Sequence, residues 1–302
     1  MSYKERQRES YRTMLKIIIV LLLLLFIALF LNWSNHSLVV TYYDYENKNL
    51  PTSFEGYRIT QVSDLQSEYF GEQQSNLLKK VKNTNPDVIV FTGDLIDRNH
   101  TDYNAARTAM KGLLEIAPVY YVNGNHEMAL DEQTIQAFYE ELKDMGVHLL
   151  FDEKASLKRE EEEIFLLGLS EFTVFACKDY IRSNKVRADE CMLKLELEKL
   201  ESKVEKEDFV VLLTHEPQYL DLYASDKVDL IFAGHAHGGQ IRLPFTDGLY
   251  APGQGTLPKM TSGVHVCGTS TLMISRGLGN STFPFRVFNR PEIVVVDLHG
   301  TK

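Results

Sequence analysis

Cysteine is scarce in this chain of 302 residues: three, at 177, 191 and 267, an odd number with no C-x-x-C pair. That excludes a disulfide framework and a thiolate-bound zinc finger. The count allows one disulfide, for which Cys177–Cys191 is the candidate, or three free buried thiols. No repeat or low-complexity segment of useful length occurs, and no G-x-S-x-G nucleophile elbow. Gly277-Leu278-Gly279-Asn280-Ser281-Thr282 starts like a dinucleotide fingerprint but ends in Thr. Lys and Arg are missing from the whole stretch between Lys16 and Lys48, and no Arg-Arg pair marks twin-arginine export.

What is present is 44% hydrophobic and 25% charged, close to globular averages, which excludes a disordered or collagen-like chain. The apolar residues are unevenly spread. Ile17 to Leu31 is an unbroken apolar run of 15, and Met14 to Trp33 makes a 20-residue span whose one charged residue is Lys16. About 20 helical residues cross a bilayer core. Lys4, Arg6, Arg8, Arg12 and Lys16 precede the run, opposed only by Glu5 and Glu9. The positive-inside rule then keeps the N-terminus in the cytoplasm and sends the rest across the membrane. A cleaved signal peptide and a buried core helix are the rival readings; the bulky Leu29-Phe30-Leu31-Asn32-Trp33 offers no small-x-small cleavage site.

Without those seven charged residues the chain has 27 basic and 40 acidic residues, net −13. Nonspecific nucleic-acid binding is not expected of so acidic a domain. An anionic substrate remains compatible if metal cations supply local positive charge.

The expected layout is a basic tail over 1–13, a transmembrane signal-anchor helix over 14–33, a linker and first strand over 34–50, and one domain over 51–302. Tyr57–Val62, Val88–Phe91, Val119–Val122, Phe209–Leu213 and Leu230–Ala233 are short and almost wholly apolar, as strands buried on both faces are. Helix-type segments, Gln74–Lys82, Tyr103–Glu115, Glu132–Met145 and Ala188–Lys206, alternate with them, which makes an α/β pattern. The charged run Lys158–Glu163 reads as a hairpin tip.

The residues after each buried strand are chemically distinctive. They are Ser63-Asp64-Leu65-Gln66, Gly93-Asp94-Leu95-Ile96-Asp97, Asn123-Gly124-Asn125-His126-Glu127, Thr214-His215-Glu216-Pro217, and Gly234-His235-Ala236-His237. Any single Asp or Asn there is an ordinary turn residue or helix cap. Five strand ends bearing carboxylate, amide or imidazole together point to a metal centre, because ligands gather at the carboxyl ends of strands in α/β sheets. Hard oxygen donors mixed with imidazoles suit Mn²⁺, Fe or Zn²⁺, and six or seven donors suit two ions sharing a carboxylate.

These five motifs, in this order, resemble the calcineurin-like metallophosphoesterase superfamily. Gly238-Gly239-Gln240-Ile241-Arg242-Leu243-Pro244 and Ser275-Arg276-Gly277-Leu278-Gly279 resemble its bacterial, membrane-associated YkuE-like branch. The resemblance implies a sandwich of two mixed β-sheets flanked by helices, here preceded by one transmembrane helix. It implies two divalent ions, Mn²⁺ above all, bridged by Asp94. Asp64, Gln66 and His237 would complete one site, and Asn125, His215 and His235 the other. His126 would protonate the leaving oxygen and Asp97 would orient it or a nearby ligand, while a hydroxide activated by the ions attacks phosphorus. Asn125 and His126 would also touch substrate. Arg276 is a candidate phosphate contact on sequence order alone, with a surface arginine the equal alternative. Gln66 departs from the pattern, which usually has His there, and implies a weaker or Mn²⁺-biased first metal.

The expected substrate is a phosphorylated small molecule or lipid-linked phosphoester or pyrophosphate. A UDP-diacylglucosamine-type lipid pyrophosphatase and a non-catalytic, membrane-tethered binding protein are the alternatives.

Overall fold

The computed structural model describes residues 3–176, 192–243, 245–280 and 283–301. It begins with one helix, α1 (Tyr3–His36), longer at both ends than the apolar run that defines it. From Met14 to Leu29 its large apolar side chains are exposed, and the apolar window of the helix is uncovered by the rest of the protein. It is long and apolar enough to cross a membrane. Only Ser37 and Leu38 separate it from β1 (Val39–Asn47), so the stretch read as linker and first strand is mostly strand.

Two six-stranded mixed sheets follow. The first comprises β1, β2 (Arg58–Val62), β3 (Val88–Thr92), β4 (Val119–Val122), β5 (His148–Leu149) and β14 (Glu292–Gly300), in the order β1-β14-β2-β3-β4-β5. The second comprises β6 (Glu153–Arg159), β7 (Glu162–Gly168), β8 (Val210–Leu213), β9 (Leu230–Ala233), β12 (Gly263–Cys267) and β13 (Ser270–Ile274), in the order β12-β13-β9-β8-β7-β6. The small β10 (Tyr250–Ala251) and β11 (Gly255–Thr256) pair separately. Strands β2 to β5 run parallel, as do β7, β8, β9 and β13, with antiparallel partners at β14, β6 and β12. The turn of the β6–β7 hairpin falls at Glu160 and Glu161, inside the charged run.

The apolar strand runs are explained by two buried faces. Ile59, Val88, Val90 and Val122 of the first sheet meet Leu166, Val211, Leu213 and Phe232 of the second in a central layer. Their neighbours in sequence point the other way: Ile89 and Phe91 go to an outer layer under α2 (Ser75–Thr84), α3 (Tyr103–Leu114) and α4 (Glu132–Asp144). Val210, Leu212 and Ile231 go to a layer under the helix Met192–Glu201. Each helix offers an i, i+3, i+4 stripe, for example Ala106, Ala109, Met110 and Leu113, or Ile135, Phe138, Tyr139 and Leu142. Asp102 and Asp131 cap α3 and α4 by accepting from backbone N–H groups of the first turn. Each buried Leu or Phe stabilises the sandwich by about 1.5–3 kcal/mol.

Cys267 is a half-buried free thiol. Cys177, Cys191 and the bridge considered between them lie outside the described residues, as do 188–191 of the last expected helix.

Candidate metal centre

The carboxyl ends of β2, β3 and β4 in one sheet and of β8 and β9 in the other open onto a single cleft. The loops there are tied to their neighbours within each sheet. Asp64 N–H donates to Gly93 O at 3.0 Å, Gln66 N–H to Asp94 O at 3.0 Å and Gly234 N–H to His215 O at 3.0 Å. Beneath them Gln61 Nε2 reaches Thr92 Oγ1 at 2.9 Å and Ala233 O at 2.8 Å, joining the two sheets.

Five of the side chains expected here sit on left-handed backbone: Asp64 and Gln66 at φ 53°, Asp94 at 52°, His235 at 65° and His237 at 47°. Each such residue costs on the order of 1–3 kcal/mol, and the surrounding structure must impose it. The effect is to turn side chains off the strand axis and into the cleft. The glycines between them supply room. A Cβ on Gly124 would strike the Asp94 carboxylate, and one on Gly93 would strike the His215 ring.

The donors form two buried groups that share Asp94: Asp94, His215 and His235; and Asp64, Asp94 and His237. In the first, His215 Nδ1 lies 2.8 Å from Thr92 O. A carbonyl only accepts, so Nδ1 carries the hydrogen, and in the neutral form that a bound cation would require Nε2 has the lone pair. That lone pair faces Asn125 Oδ1 at 3.1 Å, Asp94 Oδ2 at 3.4 Å and His235 Nδ1 at 3.1 Å. Acceptors converging on one point need a cation between them. The second group repeats the pattern: His237 Nδ1 lies 3.2 Å from Gly279 O, and the His237 Nε2 faces Asp64 Oδ1 at 3.5 Å.

Gln66 points its Nε2 at Asp94 Oδ2 (2.7 Å), and its buried Oε1 has no hydrogen-bond partner. A half-turn of the amide would offer that oxygen to a cation. The donor set therefore fits two divalent ions.

The protonation balance shows the same demand. Burial pushes Asp64 up to about 6, against the pull of His215 and with the help of Asp94. Burial acts on Asp94 too, but His215 and His126 outweigh it and hold Asp94 well below the usual carboxylate range. Burial opposes a charged His215, and Asp94 overcomes it, raising His215 well above the ordinary imidazole value. Burial and then Arg286 keep His237 well below it.

His126 is buried next to this centre, with Nε2 3.9 Å from Asp94 Oδ2 and Nδ1 3.3 Å from Asp97 Oδ1. Arg276 is placed elsewhere. Its Nη2 donates to Glu292 Oε1 at 2.9 Å and its backbone N–H to Glu292 Oε2 at 3.1 Å, because the first residue of β14 captures it. It does not line the roughly 190 Å³ cavity at the centre. That cavity is bounded by Asp94, Asn125, His126, His235, His237, Tyr250, Pro252 and Arg98. Arg98, directly after Asp97 in sequence, is the cation that does line it.

Two further residues escaped sequence reasoning. The Glu127 carboxylate accepts from the N–H groups of Asp94 (3.0 Å), Ile96 (2.8 Å) and Gly124 (2.8 Å), stapling two site loops together. Burial and then Asp94 push it up to about 7. Its signal was available, since it closes the Gly124–Glu127 motif. Arg286 is fully buried behind His237. Its Nη2 donates to Gly279 O at 2.6 Å and lies 3.3 Å from His237 Nδ1, and its Nη1 donates to Arg276 O at 2.8 Å. No local signal marks it.

Sequence comparison agrees with this geometry. The calcineurin-like phosphoesterase family matches residues 57–239, and the chain belongs to that family. It is therefore a metal-dependent hydrolase of phosphoesters. Among its relatives is the uncharacterized metallophosphoesterase YkuE of Bacillus subtilis (strain 168), 27% identical over 270 residues, covering 88% of this chain and 87% of that protein. The phosphodiesterase YaeI of Escherichia coli (strain K12) is 25% identical over 215 residues, covering 70% of each. A transmembrane protein with metallophosphoesterase domain of Danio rerio is 25% identical over 270 residues, covering 83% of this chain and 55% of that protein.

Proposed function

We propose that this protein is a membrane-anchored dimetal phosphoesterase that hydrolyses a phosphoester or pyrophosphate bond of a phosphorylated or lipid-linked substrate. The reading is supported above all by the two donor groups sharing Asp94 beside a buried histidine. In it, Asp64, Gln66, Asp94 and His237 hold one divalent ion, and Asp94, Asn125, His215 and His235 hold the other. Mn²⁺ is the first choice, because amide and carboxylate oxygens outweigh nitrogen at the Gln66 side.

Bound there, the ions supply charge to neutralise phosphate oxygens and the acidity that makes water a nucleophile near neutral pH. The chain's own residues do the rest. Asn125 borders the cavity, where its amide can meet a phosphate oxygen. His126 lies where a proton from Nε2 can reach the leaving oxygen, with Nδ1 accepting from the Arg98 backbone N–H beside Asp97. Arg98 at the mouth adds positive charge for the anionic substrate. Beyond this mouth a cleft of about 520 Å³, bounded by Arg98, Met128, Phe175 and Tyr219, offers the leaving group an aromatic and apolar wall.

In the proposed layout, 1–13 is a cytoplasmic tail, 14–33 spans the membrane once and the catalytic domain lies on the far side. The uncovered apolar length of α1 and the basic residues before it support this. The test uses the full chain in detergent, with p-nitrophenyl phosphate mono- and diesters and a pyrophosphate. Turnover abolished by chelation and restored by Mn²⁺ supports the reading. Bound metal without turnover on any of them supports the tethered binder instead.

A further inference from the structure

A second pocket of about 400 Å³ opens where α1 enters the domain. It is bounded by His36 and Ser37 at the helix end, Asn76, Lys79 and Lys80 on α2, and Arg290. No carboxylate lines it, although the chain beyond the N-terminal charges is net −13. Lys79 and Lys80 make no ion pair among the described residues. Arg290 is fixed: its guanidinium stacks on Trp33 at 4.9 Å, and donates to Ser37 O at 2.8 Å and to Ser37 Oγ at 2.6 Å.

The depth of this pocket follows from helix arithmetic. Twenty residues from Met14 to Trp33 rise about 30 Å, the thickness of a hydrocarbon core. His36 lies three residues further, about 4.5 Å beyond, within the polar headgroup layer. Near the same end of α1 Phe288, an exposed aromatic, packs at a tilt against Phe30 with centroids 5.1 Å apart. Aromatic and basic residues together are the side chains that settle at that depth.

We propose that this pocket binds the phosphate of an anionic phospholipid headgroup in the leaflet from which α1 emerges, with Lys79 and Lys80 as the binding charges and Arg290 as the fixed wall. The inference rests on reading α1 as a membrane anchor. A bound headgroup would fix the domain's rotation about α1, and with it the direction in which the metal centre faces.

Trp33 is the chain's one tryptophan and lies under the pocket wall, so its fluorescence reports on the site. The full chain is placed in phosphatidylcholine nanodiscs with increasing phosphatidylglycerol, and retained lipid is counted in parallel by native mass spectrometry. The expectation is a saturable response to phosphatidylglycerol, weakened about fivefold per lysine removed and about twentyfold in K79A/K80A. K158A, on the distant hairpin, should bind as the unaltered chain does. No preference for phosphatidylglycerol by either readout overturns the proposal. So does the same response to inorganic phosphate, which would make the pocket a soluble-anion site. Failure of the anchor shows separately, as loss of the full chain from phosphatidylcholine vesicles on alkaline washing.

Discussion

The two halves of the metal centre share a carboxylate but differ in what stands behind them. Behind His215 and His235 are acceptors: Thr92 O on the His215 ring, and Glu216 Oε1 3.7 Å from His235 Nε2. Behind His237 an acceptor, Gly279 O 3.2 Å from Nδ1, is joined by a cation, the buried Arg286 guanidinium 3.3 Å from the same nitrogen. A carboxylate behind a ligating imidazole strengthens it as a donor, whereas a nearby positive charge opposes a metal ion. The weaker half is also the one with Gln66 in place of an imidazole. On the proposed two-ion reading, these two features would bias the centre the same way, toward a firmly held ion at His215 and an exchangeable one at His237. Arg286 has a compensating use, since it meets Gly279 O and Arg276 O and so fixes the loop that carries Gly277 against Asp64.

Asp94→Asn breaks both halves. It should remove both ions from the purified protein and lower kcat/KM by roughly 10³-fold or more, as read by metal analysis and p-nitrophenyl ester hydrolysis. His126→Ala should lower kcat about 10²–10⁴-fold with the metal content unchanged. Parallel metal loss would show that His126 belongs to the ion-binding set instead. Gln66→His sharpens the asymmetry: titration with limiting Mn²⁺ should turn two unequal binding steps into nearly equal ones, the weaker tightening about tenfold, on the scale by which changes around metal ligands act. If the two steps are already equal in the unaltered chain, the comparison between the halves fails.

The smallest effects come from a pair of glycines. Gly277→Ala would press on Asp64, with Cβ 2.7 Å from its carboxylate, and would occupy φ 66°. Gly93→Ala would press on His215. Each should destabilise by about 1–3 kcal/mol, a fall in Tm of several degrees by calorimetry. Only Gly277→Ala should weaken the exchangeable ion selectively.

Much of this centre was legible because its donors follow short strands buried on both faces. A wholly apolar stretch ending abruptly in Gly-Asp or Gly-His announces itself. The alternation that sends Val90 inward and Phe91 outward is hidden in such a run, yet it does not alter where the strand ends. Arg286 was not legible: it lies 49 positions beyond His237 among aromatic loop residues, and only tertiary approach brings it there. Arg276 was undecided from sequence for the same reason, since its partner Glu292 is a strand residue far along the chain. The left-handed turns at Asp64 and His237 also leave no sequence mark, because Asp and His are ordinary loop residues whatever their φ.

The parallel register of β1 with β14 joins Val39 to Glu292 and runs nine residues, to Asn47 and Gly300. The first strand to leave α1 thus pairs with a strand made 253 positions later, and β14 also separates β1 from β2. At about 5–20 residues per second the ribosome needs roughly 13–50 s to supply that partner. Until β14 is made the chain therefore carries an open strand edge, and its first sheet closes only when that distant partner arrives.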